Sequence, residues 1–510
     1  MFQYLKQNLV FAISLIITVA VVVWALVAGD SFVAAINGVM GALTSNFDWL
    51  YIYGATLFIL FSIALAISPY GKTKLGGNEE KPERSTLAWF AMLFSAGMGV
   101  GLVFWGVAEP LSHYVAPMAG IEPLTEEAQR FSLRSCFMHW GLHPWACYAV
   151  VGLALGYFAY RLKEPALISS TLRPVLGEQS KGAVGVIIDI YVAILTVMGV
   201  ATSFGMGCIQ ISTGLDFLYG IPSNAFSLAI IVGLTCVVYT WSVVSGINRG
   251  MQVLSNVTMI LCGVLMVLAF AFGPSIDIVR EFLVGVGDWL TNFIQDSVRL
   301  ESQGDASWIR GWRVFYWAWW LSWAPFVGIF LARISRGRTI REFVLGVVIA
   351  PTVVSMVWFS IFGGVSFEAA GGLGAEQLTA ITGSPETSPY VVFAQMPISM
   401  VLSLITIVVL FGFFVTSANS ATYVLSMLTS NGDNYPPTVK KVFWGVMLAF
   451  VAFAFMMSGG VSGIQKIAII ISFPFFLVMI VMCIAMVKAL HEERHPKAGG
   501  SDGLGDEQLG

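Results

Sequence analysis

Long runs of apolar residues recur from one end of the chain to the other, and they restrict its fold more than any other feature. A helix crosses the hydrocarbon core of a bilayer with about 20 such residues. Because lipid offers the backbone no hydrogen-bond partners, a crossing segment must be a helix or part of a closed barrel. About twelve spans are predicted, at residues 9–28, 47–68, 88–109, 137–160, 184–217, 226–245, 250–273, 312–334, 342–364, 393–430, 438–458 and 464–489. The sequence therefore predicts an all-α integral membrane protein.

The composition excludes several classes of protein. The chain is 57% hydrophobic and only 11% charged, whereas soluble domains carry about 25% charged residues. Its formal net charge of −3 provides no basic field for phosphates. We therefore exclude a soluble enzyme, a disordered chain and a nucleic-acid-binding protein. The six cysteines lie in apolar stretches without CxxC spacing, and we interpret them as small buried hydrophobic residues.

Lysine and arginine are distributed unevenly between the segments that join the spans. If the N-terminus is inside, the inner segments hold 19 of the 26 basic residues and the outer segments hold 7. The positive-inside rule then predicts that both termini are cytoplasmic. The tail at 490–510 is short, polar and glycine-rich, and it is expected to be disordered.

One segment between spans has the pattern of a helix. Apolar residues recur there at helical spacing: Ile278, Val279, Phe282, Leu283, Val286, Trp289, Leu290, Phe293 and Ile294. Charged and polar residues are interleaved with them. An amphipathic helix within 276–300 is therefore expected on the outer face, against lipid or a neighbouring subunit.

The third span contains three glycines in five residues, Gly97, Gly99 and Gly101. Each glycine weakens a helix by about 1 kcal/mol relative to alanine. Two interpretations remain open from spacing alone. Small residues suit close packing between membrane helices, and an unwound stretch that lines a cavity would turn its amides and carbonyls toward a ligand or ion.

Aromatic residues are concentrated at two places within the spans. Four tryptophans fall within seven residues of the eighth span, and Trp319, Trp320 and Trp323 share one helix face. The fourth span carries a second cluster between His139 and Tyr148. Tryptophan belts mark membrane interfaces, but this density favours an aromatic cage. A quaternary ammonium group suits such a cage, because it keeps its charge and has no N–H to donate.

Acidic residues within the spans are few and lie near span ends: Glu109, Asp189 and Asp216. The lack of paired carboxylates argues against a proton relay, and a site without fixed negative charge favours a zwitterion. His139 and His143 lie four residues apart, but Pro144 disturbs that turn and no third ligand is evident, so a metal site is not favoured. We expect no carboxylate beside the histidines at depth, and therefore no membrane-embedded enzyme.

The motifs described above resemble those of the betaine/carnitine/choline transporter family. They lie at residues 96–111, 139–148 and 315–342, and the resemblance covers nearly the whole chain. The sequence looks most like the sodium-coupled glycine betaine importers of bacteria, which are transporters and not enzymes.

The resemblance implies a five-plus-five inverted-repeat fold of the LeuT-like type. Two extra N-terminal helices would occupy 9–68, the first repeat 88–273 and the second repeat 312–489. It also implies a homotrimer in a bacterial or archaeal cell membrane, with the amphipathic helix near 278–294 at the subunit contacts.

The resemblance also implies site residues. The cage for the trimethylammonium group would consist of Trp140, Trp145, Tyr148 and Trp320. Trp319 and Trp323 would line the same pathway. Backbone from Gly97 to Gly101, Met98 included, would face the carboxylate of the solute, with Ser203 as a further candidate.

A sodium site is implied as well. The hydroxyls of Thr416 and Ser417 would surround the ion together with three main-chain oxygens, those of Ser95, Met98 and Phe413. Such an oxygen-only shell suits a hard cation. For a second sodium position, Thr196 and Phe326 match the family pattern, but Val200 replaces the other hydroxyl.

The expected activity is import of a quaternary-ammonium zwitterion, most simply glycine betaine, with sodium as the coupling ion and no other cofactor. Choline carriers of the family tend to have an acid where this chain has Gly101, which favours a zwitterion here. The alternative is a sodium-independent exchanger of carnitine- or betaine-type solutes. Those exchangers place a positive side chain in the fifth span, and residues 196–210 contain no lysine or arginine.

Overall fold

The computed structural model describes residues 2–97, 99–245, 248–301 and 306–495, and over these ranges the chain is helical without β-strands. The α-helices are α1 (Phe2–Val27), α2 (Gly29–Ile67), α3 (Thr86–Gly97), α4 (Val100–Val115), α5 (Glu126–Trp140), α6 (Leu142–Gly156), α7 (Ile168–Thr171), α8 (Arg173–Leu176), α9 (Ala183–Tyr219), α10 (Ala225–Ser245), α11 (Asn248–Phe272), α12 (Ser275–Ser297), α13 (Phe315–Ile334), α14 (Ile340–Gly371), α15 (Ala375–Gly383), α16 (Ser388–Phe393), α17 (Ser399–Leu428), α18 (Thr438–Met457) and α19 (Gly460–Arg494). Short 3₁₀ turns at Pro69–Lys72, Gly177–Lys181 and Pro385–Thr387, and π-helical turns at Tyr157–Arg161 and Ile309–Val314, complete the helical structure.

Eleven helical segments of the described chain are long and apolar enough to cross a membrane. The expected all-α, multi-pass fold class is therefore confirmed. The sequence predicted about twelve spans, and the difference lies at 88–109, where the chain is divided into α3 and α4. Gly99 is extended there, with φ −155° and ψ −175°, so neither short helix crosses alone.

Several predicted boundaries were wrong, among them those near residues 47, 393 and 490. The helix predicted over 47–68 begins at Gly29, because the small and polar residues before 47 continue a helix that packs on its neighbours. The span predicted over 393–430 begins at Ser399, after a turn that contains Pro397. The tail was expected to be disordered from 490, but α19 continues to Arg494. Residues 496–510 lie outside the described ranges.

Contacts between helices recur in matched pairs along the two halves of the chain. Helix α9 of the first half packs on α19 of the second half, and α17 of the second half packs in the same way on α11 of the first half. Helix α6 packs on α13 as α14 packs on α3 and α4, and α6 meets α19 as α14 meets α11. This exchange of equivalent partners is what two inverted repeats would produce. The five-plus-five division at 88–273 and 312–489 stays a prediction, and these pairs support it.

The expected amphipathic segment forms α12, which lies outside the eleven candidate spans. One side buries Ile278, Gly285 and Trp289 against the bundle. Ion pairs fasten it to α5, because Arg134 lies 3.0 Å from Asp288. The other side leaves a row of apolar side chains exposed: Ile276, Val279, Leu283, Val284, Leu290 and Ile294.

Candidate functional site

The break between α3 and α4 brings bare backbone to the middle of the bundle. A Cβ placed on Gly101 would lie 2.6 Å from Cη2 of Trp319 and 3.3 Å from Cη2 of Trp140. The absence of a side chain at Gly101 therefore allows these two indole rings to approach the chain. The helix is interrupted at Gly99, and Gly101 permits close packing, so the structure shows features of both interpretations of the glycine motif. A role of this backbone toward a ligand or ion stays a prediction.

A small cavity of about 50 Å³ lies beside this break. Its described lining residues are Gly99, Val100, Gly101, Leu102, Trp140, Pro144, Trp145, Tyr148, Ser203, Trp319, Trp320, Trp323, Val327 and Ser355. All six aromatic residues predicted for the site are among them. None of these described lining side chains carries a charge.

The rings that line this cavity come from two helical segments that pack against each other, α5–α6 and α13. Trp140 meets Trp320 edge to face, with ring centroids 4.8 Å apart. Tyr148 lies 6.3 Å from Trp320 and 5.6 Å from Trp145, again edge to face. Trp319 stacks on Trp320 at 4.8 Å. We call the set Trp140, Trp145, Tyr148 and Trp320 the aromatic cage.

Protein acceptors engage the indole N–H groups around the cavity. Trp320 donates to the main-chain oxygen of His139 at 2.9 Å, and Trp323 donates to that of Gly199 at 2.9 Å. Trp319 donates to the hydroxyl of Ser203 at 3.3 Å. With their N–H groups engaged, these rings offer a solute their π faces, which attract a cation.

A second cavity, of about 120 Å³, adjoins the first through Gly99, Trp323 and Val327. Its remaining described lining residues are Ser255, Phe326, Phe330, Phe413, Thr416, Ser417 and Ser420. Three residues predicted for the sodium site therefore lie on its wall. The hydroxyl of Thr416 donates to the oxygen of Gly412 at 2.9 Å, which leaves its own lone pairs available to a cation.

The remaining predicted residues are distributed around the break and on α9. Gly97 is the last residue of α3 and Ser95 lies two residues before it, whereas Met98 falls outside the described residues. Thr196 is buried on α9 and donates to the oxygen of Val192 at 2.7 Å. Phe326 lines the second cavity. The assignment of all these residues to solute or ion stays a prediction.

The expectation that no carboxylate lies beside the buried histidines was wrong. Glu109 on α4 is fully buried, and its Oε1 lies 2.7 Å from Nδ1 of His139 and 3.4 Å from Nε2 of His113. Its Oε2 accepts the indole N–H of Trp140 at 2.7 Å and the hydroxyl of Tyr316. The error arose because α4 and α5 meet only in the tertiary structure, although the four-residue spacing of Glu109 and His113 was a usable signal.

This cluster has the residue types of a metal site, since ligand atoms of Glu109, His113 and His139 lie within 4.8 Å of one another. Tetrahedral ligands about 2.1 Å from a zinc ion would be about 3.4 Å apart. The 2.7 Å separation of Glu109 and His139 is instead that of a hydrogen bond. We therefore describe the group as a hydrogen-bonded cluster.

Comparison with known proteins agrees with this architecture. The sequence model of the betaine/carnitine/choline family transporters matches residues 9–495. A probable glycine betaine transporter of Desulfitobacterium hafniense is 42% identical over 494 residues, covering 96% of this chain and 99% of its own. The glycine betaine transporter OpuD of Bacillus subtilis is 42% identical over 489 residues, 95% of this chain and 94% of its own. An ectoine/hydroxyectoine transporter of Virgibacillus pantothenticus is 36% identical over 485 residues, 95% of this chain and 96% of its own. The chain is a multi-pass membrane protein that belongs to the betaine/carnitine/choline transporter family.

Proposed function

We propose that this protein imports a quaternary-ammonium zwitterion, glycine betaine, by symport with sodium. The observation that carries the proposal is the aromatic cage, formed by two packed helical segments around a cavity whose described lining has no charged side chain. Relatives at 42% identity carry the name of glycine betaine transporters, which supports this choice of solute.

The chemistry of the cage favours a permanently charged headgroup. A trimethylammonium group has no N–H to donate, so it gains little from hydroxyl or carbonyl acceptors and more from ring faces. A primary amine would instead need hydrogen-bond acceptors, which indole rings do not provide. The lack of a charged side chain in the described lining favours a solute that carries its own counter-charge.

Backbone at the break between α3 and α4 supplies the other half of recognition. Gly99 is extended and Val100 begins α4, so the first amides of α4 have no partners within that helix. The positive end of a helix attracts an anion. Because Gly99, Val100 and Gly101 all line the cavity, the solute carboxylate would lie against them while its ammonium group lies in the cage.

Sodium coupling would use the second cavity. Phe413, Thr416 and Ser417 lie on its wall, and the two cavities share Gly99 and Trp323. An ion that stabilises the chain around Gly99 would therefore favour the same arrangement that the solute needs. Each sodium that crosses a potential of 100 mV contributes about 2.3 kcal/mol. A second sodium ion would bind between Thr196 on α9 and Phe326 on α13. These two helices are close together there, because one turn away Gly199 of α9 packs against Ser322 of α13.

The proposed assembly follows the same reasoning. The positive-inside rule assigns both termini to the cytoplasm of a bacterial or archaeal cell. The exposed apolar row of α12 would mediate a homotrimer, and the matched helix contacts support the two inverted repeats.

Uptake of labelled glycine betaine into proteoliposomes tests the proposal. An inward sodium gradient should drive accumulation, and an equal potassium gradient should not. Uptake that does not depend on sodium but requires internal betaine or carnitine would show that the protein is an exchanger and not a symporter. Absence of any betaine uptake, with accumulation of ectoine instead, would refute the choice of solute.

A further inference from the structure

We propose that Glu109 is a positioning residue for the aromatic cage. Its carboxylate is absent from the described lining of both cavities, but it holds cage rings on α5 and α13 in their orientation. The inference rests on the proposed function, because that function assigns the cage to the solute headgroup.

The first connection is direct. Oε2 of Glu109 accepts the indole N–H of Trp140 at 2.7 Å, and the same oxygen accepts the hydroxyl of Tyr316 from α13. One oxygen atom therefore joins α4 to both helical segments that build the cage. Hydrogen bonds to an ionised acceptor are about twice as strong as neutral ones, so a carboxylate restrains the Trp140 ring more firmly than an amide would.

The second connection runs through His139. Nδ1 of His139 lies 2.7 Å from Oε1 of Glu109, and the main-chain oxygen of His139 accepts the indole N–H of Trp320 at 2.9 Å. Helix α5 ends at Trp140, so this oxygen is among the last four carbonyls, which have no partner within the helix. Glu109 therefore holds His139 in place, and the main-chain oxygen of His139 in turn orients the indole of Trp320.

The deep burial of the Glu109 carboxylate is a further argument that it has a functional role. Glu109, His113 and His139 are each fully buried, and aromatic rings surround them, with Trp312 centred 4.4 Å from His113. A carboxylate within a membrane span is costly unless it is paired and hydrogen-bonded. Three groups hydrogen-bond to this one, those of His139, Trp140 and Tyr316. Trp140 is itself a cage ring, and Tyr316 contacts the rings of Trp140 and Trp320.

A double-mutant cycle on the purified full-length protein tests the inference. The substitution E109Q removes the charge, and W140F removes the indole N–H while keeping an aromatic face. Each alone should raise the dissociation constant of glycine betaine about tenfold, and the double variant should bind more tightly than the sum of the two single effects predicts.

The control pairs E109Q with W358F. Trp358 donates to the oxygen of Leu102 at 3.1 Å and is not part of the described cavity lining, so its substitution should combine additively with E109Q. Wild-type affinity in E109Q, or additivity with W140F, would overturn the inference. If E109Q fails to fold, E109D replaces it in the same cycle, because the shorter side chain keeps the charge but cannot reach the Trp140 N–H.

A readout without solute separates this inference from the proposed function. The indole resonance of Trp140, identified by its absence from the W140F spectrum of ¹⁵N-tryptophan-labelled protein, should shift in E109Q and stay unchanged in S112A. The hydroxyl of Ser112, one turn further along α4, donates to the main-chain oxygen of Ala108 in its own helix. An unshifted resonance would refute the positioning role. If the resonance shifts in E109Q but the wild-type protein binds no betaine, only the proposed function is refuted.

Discussion

Trp323 donates its indole N–H to the main-chain oxygen of Gly199, 2.9 Å away, and so joins α13 to α9 at the wall between the two cavities. A Cβ on Gly199 would lie 2.7 Å from the oxygen of Ser322, so the two helices approach each other as closely as their backbones allow. This contact holds the ring of Trp323, which lines both cavities, against α9.

Removal of a cage ring should weaken betaine binding. Trp320→Ala deletes the ring that contacts both Trp140 and Tyr148, and we expect the dissociation constant of glycine betaine to rise about 30-fold, since a desolvated cation–π contact contributes about 2 kcal/mol. Calorimetric titration measures this. Trp24→Ala deletes a tryptophan on α1 that is 42% exposed, and it should bind normally. Normal affinity in Trp320→Ala would exclude the ring from the site.

A negative charge at position 101 should change which solute the protein transports. Gly101→Asp places a carboxylate in the cavity and moves the ring of Trp319, so betaine uptake should fall about tenfold or more while choline becomes a substrate. Gly101→Ala is the matched control, because it causes the steric conflict without the charge. It should lose betaine uptake and gain no choline uptake. Choline uptake by both variants would mean that shape, not charge, selects the solute.

Loss of hydroxyls in the second cavity should raise the sodium requirement. In Thr416→Ala we expect the sodium concentration for half-maximal uptake to rise about tenfold, because the ion loses one oxygen ligand. The control is Ser426→Ala on the same helix, whose hydroxyl donates to the oxygen of Thr422 at 2.7 Å. An unchanged sodium dependence in Thr416→Ala and in Ser417→Ala would exclude this wall as the ion site.

The docking of α12 should depend on pH through Glu281. Burial, together with Asp277 and Glu368, raises the pKa of Glu281 from 4.5 to about 7. Between these values the folded protein holds a proton that the unfolded chain has released, so the free energy of unfolding falls as the pH rises through this window. The thermal midpoint should drop about 2–4 °C between about pH 5 and about pH 8, less in Glu281→Gln. Glu126→Gln, whose side chain is 79% exposed, should retain the wild-type slope, and an equal slope in Glu281→Gln would contradict the assignment.

The sequence predicted those features that depend on patterns along one segment. Runs of apolar residues predicted the spans, and the density of tryptophan around Trp320 predicted aromatic residues that do line one cavity. It could not predict what depends on contacts between segments. Glu109 and His139 are 30 residues apart, and only the packing of α4 against α5 brings them together. The helix that begins at Gly29 was missed for a related reason, because its first turns are not apolar enough to resemble a span.

The length of α2 makes the protein sensitive to the lipid around it. Its 39 residues rise about 58 Å along the helix axis, whereas the whole bilayer with its headgroups measures about 40–45 Å. The helix must lean steeply or project into water, and each choice responds to acyl-chain length. The hydroxyl of Tyr51 on α2 donates to the main-chain oxygen of Ile469 on α19. A change in the tilt of α2 in a thinner bilayer would therefore be transmitted to α19.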